Sequence, residues 1–329
     1  MILGTRGSPL ARAQSGWVRD RLLAAHPGLD IGVSVIVTSG DRQQSAPADT
    51  FFGGDGGDSA RGIFVKEIEE AMLAGRIDLA VHSFKDLPTG QPDGLMVCAS
   101  PVREDPRDAL VTREGLGLLD LPVGARVGTS SPRRAAQLRA ARPDLLFVPV
   151  RGNVGTRIRK MMEGEFDAVV LAAAGLNRLG LLGARDTEPS GGVRPGEVTG
   201  SGVVSLIPEQ LCVPAAGQGA LAIETRVDDE PTRSIVSAIA DPATAAEVAA
   251  ERAFLAELGG GCRVPVAALG RVNGARLHLR GVVAAPDGSS LVRVEGESAV
   301  DAGQELGREL ARRAIDRGAG PLLLLAGRG

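Results

Sequence analysis

Short apolar segments alternate with amphipathic segments of helical spacing along this chain, and this alternation constrains the fold most. The stretch "SPLARAQSGWVRDRLLAAHPG" places apolar residues at helical spacing, with Ser8 as the expected N-cap and Pro9 at the first helical position. The segments 31–37 and 77–83 have the composition of strands, and 64–73 that of a helix between them. The pattern predicts an α/β fold with a parallel or mixed sheet.

The same alternation begins again near residue 107, so the chain reads as a duplication. "GTRGSPLARAQ" (4–14) and "GTSSPRRAAQ" (128–137) share Gly-Thr, then Ser-Pro, then Ala-Gln at the same offset from the serine, and "GRIDLAV" (75–81) matches "GEFDAVV" (164–170) in Gly, Asp and Val at the same offsets. An Ala-rich helix over about 243–258, a Pro-Asp-Gly turn at 286–288 and a terminal helix from about 301 predict a small third domain of α+β type. A chain of 329 residues is long enough for such a division.

The composition excludes several classes of function. Aromatic residues make up 2% of the chain and tyrosine is absent, which argues against stacking on nucleic-acid bases. The net charge of −3 provides no general attraction for nucleic acid or an anionic membrane. The three cysteines are far apart with no CxxC, so neither a zinc site nor a disulfide framework is indicated. With no signal pattern and no long apolar run, we expect a cytoplasmic protein.

Arginines beside two expected helix starts indicate an anion site. Arg6 precedes one Ser-Pro start, and Arg133 and Arg134 fall in the first turn of the other. A cation there opposes the helix dipole, and a bound anion would remove the conflict. Arg151 and Arg157 follow the strand "LLFVPV", so the set would suit a ligand with several negative groups, whereas any one of these arginines could be a solvated surface residue.

Two further stretches carry reactive groups. "HSFKDLP" (82–88) puts Lys85 and Asp86 at the carboxyl end of a strand, where an ionised Asp86 could stabilise a positive intermediate. The alternative is that Lys85 and Asp86 form only a solvated turn without a function. His82 is interpreted as a structural histidine. In "LGGGCRVPV" (258–266), the glycines permit close approach to Cys262, which favours a ligand or covalent role over a packing thiol.

Taken together and in order, these motifs resemble one family, the porphobilinogen deaminases or hydroxymethylbilane synthases. The resemblance is carried by "TRGSPLARAQ", "FVKEIEEAML", "AVHSFKDLPT", "EDPRDALV", "VGTSSPRRAAQL", "VRGNVGTR", "LAAAGLNRLG", "PAAGQGALAIE" and "ERAFLAELGGGCRVPV". It implies two similar α/β lobes of the type II periplasmic-binding-protein kind, with the active site in the cleft between them, plus a small α+β C-terminal domain. Lobe 1 would be 1–101 plus about 216–237, with the catalytic aspartate and a mobile loop 39–62; lobe 2 would be 106–213, with the arginine-rich anion site; the C-terminal domain that attaches the cofactor would be 240–329.

The resemblance also implies an activity. Members of the family are transferases of tetrapyrrole biosynthesis that join four porphobilinogen molecules head to tail onto a dipyrromethane primer, releasing ammonia and the linear tetrapyrrole hydroxymethylbilane. The primer is a permanent cofactor held by a thioether, here to Cys262. Porphobilinogen would be the small-molecule substrate of a monomer that binds neither nucleic acid nor membrane.

Residue roles follow from the same resemblance. Asp86 matches the catalytic aspartate, which would stabilise the cationic azafulvene formed as each porphobilinogen loses ammonia. The positions that match cofactor-binding residues are Cys262, Lys85, Thr129, Ser131, Arg133, Arg134 and Gly152. Those that match substrate-binding residues are Arg6, Ser8, Gln14, Phe64, Arg151, Arg157 and Gln218. No metal is implied.

The chain departs from the family pattern in four places. Arg61 stands where lysine is common and Ser39 where arginine is common, the loop 39–62 is long and glycine-rich, and 189–202 has the character of an insertion. Two rival functions stay open on the residues alone. A two-lobed receptor for a small anion would carry no covalent adduct, and an enzyme using Cys262 as a transient nucleophile would be inactivated quickly by alkylation.

Overall fold

The computed structural model describes residues 1–39, 65–182, 196–198, 202–259 and 264–326. Phe64, Arg61, Cys262, the expected loop 39–62 beyond Ser39 and most of the segment 189–202 lie outside these ranges, so the predictions made for them stay predictions. The chain divides into two compact units, Met1–Arg103 with Ala220–Ala245 and Glu104–Gly219 with Ala246–Gly329. Each unit is described separately below.

The first unit is built on a five-stranded sheet. Its strands are β1 (Ile2–Arg6), β2 (Gly32–Ile36), β3 (Leu79–Ser83), β4 (Leu95–Ala99) and β11 (Leu221–Arg226), in the order β2-β1-β3-β11-β4. Strand β1 is parallel to β2 and β3, while β11 is antiparallel to β3 and β4. Helices α1 (Pro9–Ala25), α2 (Lys66–Leu73) and α6 (Glu230–Ser237) belong to this unit, and residues such as Leu3, Leu22 and Ile223 fill its core.

Helix α1 starts where the sequence predicted. The Ser8 side chain accepts a hydrogen bond from the Ala11 N–H at 3.2 Å, and Pro9 occupies the first helical position. The helix ends before Pro27 and Gly28, and Gly28 adopts the left-handed conformation with φ of 92°. The predicted cap at Ser8 and first helical position at Pro9 are therefore confirmed.

The second unit contains a six-stranded sheet with the same plan. Its strands are β5 (Asp108–Thr112), β6 (Arg126–Gly128), β7 (Leu146–Val148), β8 (Ala168–Ala172), β9 (Gly196–Val198) and β10 (Gly202–Leu206), in the order β7-β6-β8-β5-β10-β9. Strand β6 is parallel to β7 and β8, and β5 runs antiparallel between β8 and β10. In both sheets a strand from elsewhere in the chain is thus inserted antiparallel beside the third strand, which supports the predicted duplication. Helices α3 (Pro132–Ala141), α4 (Val154–Met162) and α5 (Ala173–Arg178) accompany this sheet.

The remainder of the second unit is a small α+β region. Helix α7 (Pro242–Glu257) precedes an antiparallel sheet of β12 (Val266–Asn273), β13 (Arg276–Ala284) and β14 (Leu291–Ala299), and helices α8 (Gly303–Ala314) and α9 (Gly320–Ala326) follow. Gly281 lets the ring of Phe254 approach the sheet, since a Cβ there would lie 2.4 Å from the ring. Gly288, with φ of 75°, forms the predicted turn between β13 and β14.

These elements confirm the predicted class, two similar α/β lobes and a small α+β C-terminal domain. The domain boundaries stay a prediction, because the second lobe and the C-terminal region lie in one compact unit. In the described ranges, no helix combines the length and apolar character needed to cross a membrane.

Candidate functional site

The first candidate site lies at the carboxyl ends of β1 and β3. These neighbouring strands are parallel, so the segments that follow them meet at one edge of the sheet. Arg6 ends β1 and leads to Ser8 at the start of α1, while β3 runs into a 3₁₀ turn, Phe84–Asp86, that carries Lys85 and Asp86. A cavity of about 80 Å³ is lined by polar residues of both segments, namely Arg6, Ser8, Gln14, His82, Ser83 and Asp86.

Asp86 is held at this edge by its turn. The Leu87 N–H donates to the Phe84 carbonyl oxygen at 3.2 Å, and Phe84 is buried, which anchors the turn to the unit. The Asp86 side chain itself is exposed and borders the cavity. The predicted position of this carboxylate at the end of a strand is confirmed, and its catalytic role stays a prediction.

Gln14 joins α1 to the end of β3. Its amide nitrogen donates to the Ser83 hydroxyl at 2.9 Å, and the Ser83 hydroxyl lies 3.3 Å from the amide oxygen. The Gln14 side chain is buried, so this pair fixes the spacing between the helix that carries Ser8 and the turn that carries Asp86. Gln14 therefore lines the cavity beside Asp86 and connects helix α1 to the end of β3 through its hydrogen bond with Ser83.

His82 also lines the cavity, and it is paired with a buried carboxylate. Its Nε2 is 3.1 Å from an oxygen of Glu224 on β11, and both side chains are almost fully buried. This contact agrees with the interpretation of His82 as a structural histidine.

On α2, burial raises the pKa of Glu69, and the negative charge of Glu224 raises it further.

The second candidate site repeats this plan at the ends of β6 and β7. These parallel neighbours lead to two capped helices: Ser131 accepts from the Arg134 N–H at 3.4 Å to cap α3, and Asn153 accepts from the Thr156 N–H at 2.9 Å to cap α4. Thr129 is buried just ahead of the first cap. Helix N-termini with exposed N–H groups favour anions, so both units present such ends at one sheet edge.

Gly152 and Arg157 form one small structural unit at the end of β7. Gly152 has φ of 110°, and a Cβ there would lie 2.6 Å from the Thr156 side chain, so glycine is required. The Arg157 Nε donates to the Gly152 carbonyl oxygen at 2.8 Å. Arg151, next to this glycine, is exposed.

Arg133 and Arg134 converge on a buried carboxylate, Asp108, at the start of β5. Arg133 Nη1 lies 2.7 Å from Asp108 Oδ2, and Arg134 Nε lies 2.8 Å from Oδ1. Burial alone would raise the pKa of Asp108, but the positive charges of the two arginines hold it well below its ordinary value. The sequence argument offered a bound anion to offset the cations at this helix start, and the structure adds a partner that the argument did not include: Asp108 is an anion within the protein that offsets part of their charge. The assignment of the two arginines to the cofactor stays a prediction.

Asp108 offsets only part of the charge around it. Two guanidinium groups meet one carboxylate, and the neighbouring thiol of Cys212 remains neutral because burial raises its pKa to about 12. The Arg133, Arg134 and Asp108 side chains therefore carry a net charge of +1 at positions that are at most 7% exposed. An excess buried cation favours the binding of an anion.

Gln218 is the remaining predicted residue of this unit, and it contacts the same carboxylate. Its amide nitrogen donates to Asp108 Oδ1 at 2.9 Å and to the Pro106 carbonyl oxygen at 2.7 Å. The structure therefore brings Arg133, Arg134 and Gln218 together around one group. Thr129, Ser131, Arg151, Gly152 and Arg157 lie on the segments after β6 and β7.

Sequence reasoning missed two charged groups here. Asp108 opens an otherwise apolar strand, "DALV", and a buried acid in such a segment requires partners, which was the available signal. Arg178, at the end of α5, donates to the Gly219 carbonyl oxygen at 2.7 Å. Burial lowers the pKa of Arg178 to about 10, against the opposing effect of the Glu104 charge.

The fold and the two candidate sites together define a class of protein. It is an α/β protein of duplicated lobes, with arginines and the exposed carboxylate of Asp86 at the carboxyl ends of its strands. Comparison with protein families gives a narrower result. Residues 1–234 match the model described as porphobilinogen deaminase, dipyromethane cofactor binding domain, and residues 245–316 match the porphobilinogen deaminase C-terminal domain. The chain belongs to the porphobilinogen deaminase family. The predicted family and its dipyrromethane cofactor are thereby confirmed, while attachment at Cys262 stays a prediction.

Relatives that match almost the whole chain belong to the same family. Porphobilinogen deaminase of Roseiflexus sp. (strain RS-1) is 49% identical over 323 residues, 98% of each chain, and that of Desulforudis audaxviator is 47% identical over 98% of this chain and 96% of its own. Among solved structures, the Escherichia coli periplasmic aliphatic sulphonate binding protein SsuA is 12% identical, with a TM-score of 0.39 over 78% of this chain and 69% of its own. The BenM effector binding domain with benzoate is 14% identical, with a TM-score of 0.39 over 73% of this chain and 89% of its own.

Proposed function

We propose that this chain is a hydroxymethylbilane synthase, a transferase that condenses four porphobilinogen molecules head to tail onto a dipyrromethane cofactor and releases ammonia and hydroxymethylbilane. The family and its relatives support the activity. The structural observation that carries it is the exposed Asp86 at a cavity that Arg6 also lines, because the reaction combines a transient positive charge with many carboxylates.

The donors present fit the cofactor. A dipyrromethane bears acetate and propionate side chains, and the second unit supplies a net positive buried cluster together with two capped helix starts. When bound, the cofactor supplies a terminal pyrrole whose α-carbon is the nucleophile for the first addition. Thr129, Ser131, Arg133, Arg134, Gly152 and Lys85 would hold its carboxylates and rings, and Cys262 would carry the thioether.

In the mechanism, Asp86 acts electrostatically. Loss of ammonia from porphobilinogen leaves a cationic azafulvene, and an ionised carboxylate close to the pyrrole N–H accepts its hydrogen bond and stabilises the charge. Because the 3₁₀ turn and the Gln14–Ser83 pair hold the backbone around Asp86 in place before the ligand binds, the backbone that carries the carboxylate needs little reorganisation as the cation forms.

The substrate carboxylates would be bound by the remaining residues of the two sites. Arg6, Ser8 and Gln14 border the Asp86 cavity, and Phe64 would line it as well. Arg151, Arg157 and Gln218 belong to the second unit. Guanidinium groups pair with carboxylates through two parallel hydrogen bonds, which orients each ring as well as binding it.

The intact mass of the purified full chain tests the proposal. We expect an excess over the sequence mass equal to two pyrrole units, absent from Cys262→Ser and present in Cys98→Ser as the matched control. An active preparation with an unmodified Cys262 would refute the covalent primer. A two-lobed receptor would show neither the added mass nor ammonia release from porphobilinogen.

We further infer that the protein acts as a cytoplasmic monomer without nucleic-acid or membrane partners. The net charge of −3 supports the lack of a general attraction to polyanions. Light scattering after size-exclusion chromatography tests the monomer, for which a mass near 33.8 kDa is expected.

A further inference from the structure

Asp108 has an unusual number of partners for one carboxylate. It is fully buried at the start of β5, and both of its oxygens are engaged. Oδ2 accepts from Arg133 Nη1, and Oδ1 accepts from Arg133 Nη2 at 3.2 Å, from Arg134 Nε at 2.8 Å and from the Gln218 amide at 2.9 Å. The Cys212 thiol also donates to Oδ2 at 3.3 Å, so four side chains from two distant segments contact this single carboxylate.

The two arginines are also fixed at their other ends. Arg133 Nη1 donates to the Val213 carbonyl oxygen at 2.7 Å, and Arg134 Nη1 donates to the Val170 carbonyl oxygen at 3.0 Å. Each guanidinium thus sits between a carboxylate and a backbone carbonyl. A long arginine side chain samples many rotamers in solution, so this arrangement removes freedom before any ligand arrives.

Stability alone does not account for the arrangement. Apolar residues of similar volume commonly replace buried ion pairs without loss of stability, and here the charges are not even balanced. The excess charge lies in the first turn of α3, beside the Ser131 cap and the Thr129 hydroxyl that accepts from the Ser131 N–H, at a helix start where backbone N–H groups also favour an anion. The imbalance is relieved when a carboxylate binds there.

We propose that Asp108 is a positioning residue of this anion site: it holds Arg133 and Arg134 in one orientation and cancels one of their two charges, leaving one positive charge for one carboxylate of the pyrrole chain. The inference rests on the proposed function, since it assumes that the two arginines bind pyrrole carboxylates. Asp108 touches no reacting atom and acts through the arginines.

Asp108→Ala in the full-length holoenzyme tests this inference, with formate as a replacement carboxylate. The deletion leaves space beside two unpaired guanidinium groups, which is a site that a small carboxylate can enter. We expect KM for porphobilinogen to rise about tenfold while kcat changes far less, since Asp108 also orients Gln218, which is assigned to the substrate, beside the arginines that hold the pyrrole chain. Sodium formate, compared with sodium chloride at equal ionic strength, should lower KM toward the parent value and raise the unfolding temperature.

Asp144→Ala is the matched control, because Asp144 forms a two-point pair with Arg142 away from this cluster. Its KM should neither rise nor respond to formate. All kinetic measurements are made well below the unfolding temperature of each variant, where a loss of stability alone does not alter KM. If Asp108→Ala lowers the unfolding temperature but leaves KM unchanged, Asp108 is only structural and the inference is wrong.

Asp108→Asn provides a second test if the alanine variant does not fold. It keeps the volume and one acceptor oxygen, so KM should rise without a response to formate, and an unchanged KM would contradict the inference. The experiment distinguishes a failure of the positioning role from a failure of the proposed function. Parent protein without the dipyrromethane mass or turnover refutes the function, whereas an active parent with an unaffected Asp108 variant refutes only the positioning role.

Discussion

At the scale of residues, two aspartates show how environment assigns different tasks to the same side chain. Asp86 is exposed on a short turn at the end of β3, where its charge can reach a ligand. Asp108 is fully buried and accepts hydrogen bonds from Arg133, Arg134 and Gln218, so its charge acts on the orientation of those side chains. The residue type alone gives a carboxylate, and accessibility decides what the carboxylate does.

Asp86→Asn should reduce turnover by at least about a hundredfold, because the amide keeps the shape but not the negative charge that stabilises the cation. The rate of tetrapyrrole formation measures the effect, and intact mass should still show the cofactor. Asp93→Asn, at an exposed site on the segment that follows, is the control and should turn over normally. A near-normal rate in Asp86→Asn would remove it from the mechanism.

The three cysteines should differ in reactivity toward an alkylating reagent. Cys212 is fully buried and burial raises its pKa to about 12, so we expect no reaction in the folded protein. In denaturant, Cys98 and Cys212 should react while Cys262 stays blocked by its thioether. Peptide mapping measures this, and alkylation at all three positions would contradict the blocked thiol.

At the scale of elements, both candidate sites arise from one device: a parallel strand, a short segment and a side-chain cap that opens a helix. Ser8, Ser131 and Asn153 each cap the helix that follows a strand of the parallel part of a sheet. The cap fixes the helix start, and the preceding segment then carries the arginine or hydroxyl offered to a ligand. Glycine is needed where the segment turns sharply, as at Gly152.

Gly152→Ala should destabilise the fold by about 1–3 kcal/mol, since alanine at a φ of 110° is strained and its Cβ meets Thr156. Urea unfolding measures the change. Gly155→Ala, three residues along and inside α4, has room for the methyl group and should stabilise by about 0.5–1 kcal/mol. Equal effects of the two substitutions would contradict the argument from backbone conformation.

At the scale of the whole molecule, an acidic chain carries local positive sites. The net charge is −3, yet the Asp108 cluster retains a positive charge inside the second unit. The total charge therefore says little about the ligand, because over distances beyond about 10 Å salt screens the surface charges while buried groups keep their effect. Solution pH should act on stability through those buried groups.

The unfolding temperature should fall as the pH decreases below about 4. Arg133 and Arg134 hold the folded-state pKa of Asp108 below its unfolded value, so Asp108 contributes stability above the unfolded pKa and loses it as the pH falls toward the folded pKa. Thermal scans between neutral and acidic pH measure this. Asp108→Asn should flatten the acidic limb, whereas Asp287→Asn, at an exposed turn, should leave most of it intact. An identical acidic limb in parent and Asp108→Asn would show that other carboxylates dominate.

The sequence by itself determined the elements and their repetition. Helix α1 with its Ser8 cap, the strand ending before Asp86, and the duplicated Gly-Thr and Ser-Pro motifs all follow from local periodicity and capping chemistry, which act over a few residues. The family resemblance, carried by nine ordered motifs, added the activity and the cofactor. Only the tertiary structure decided which charges meet. The pairing of Asp108 with Arg133, Arg134 and Gln218 joins residues 25, 26 and 110 positions apart, and no periodic pattern encodes such contacts, because they depend on which strand is inserted into which sheet.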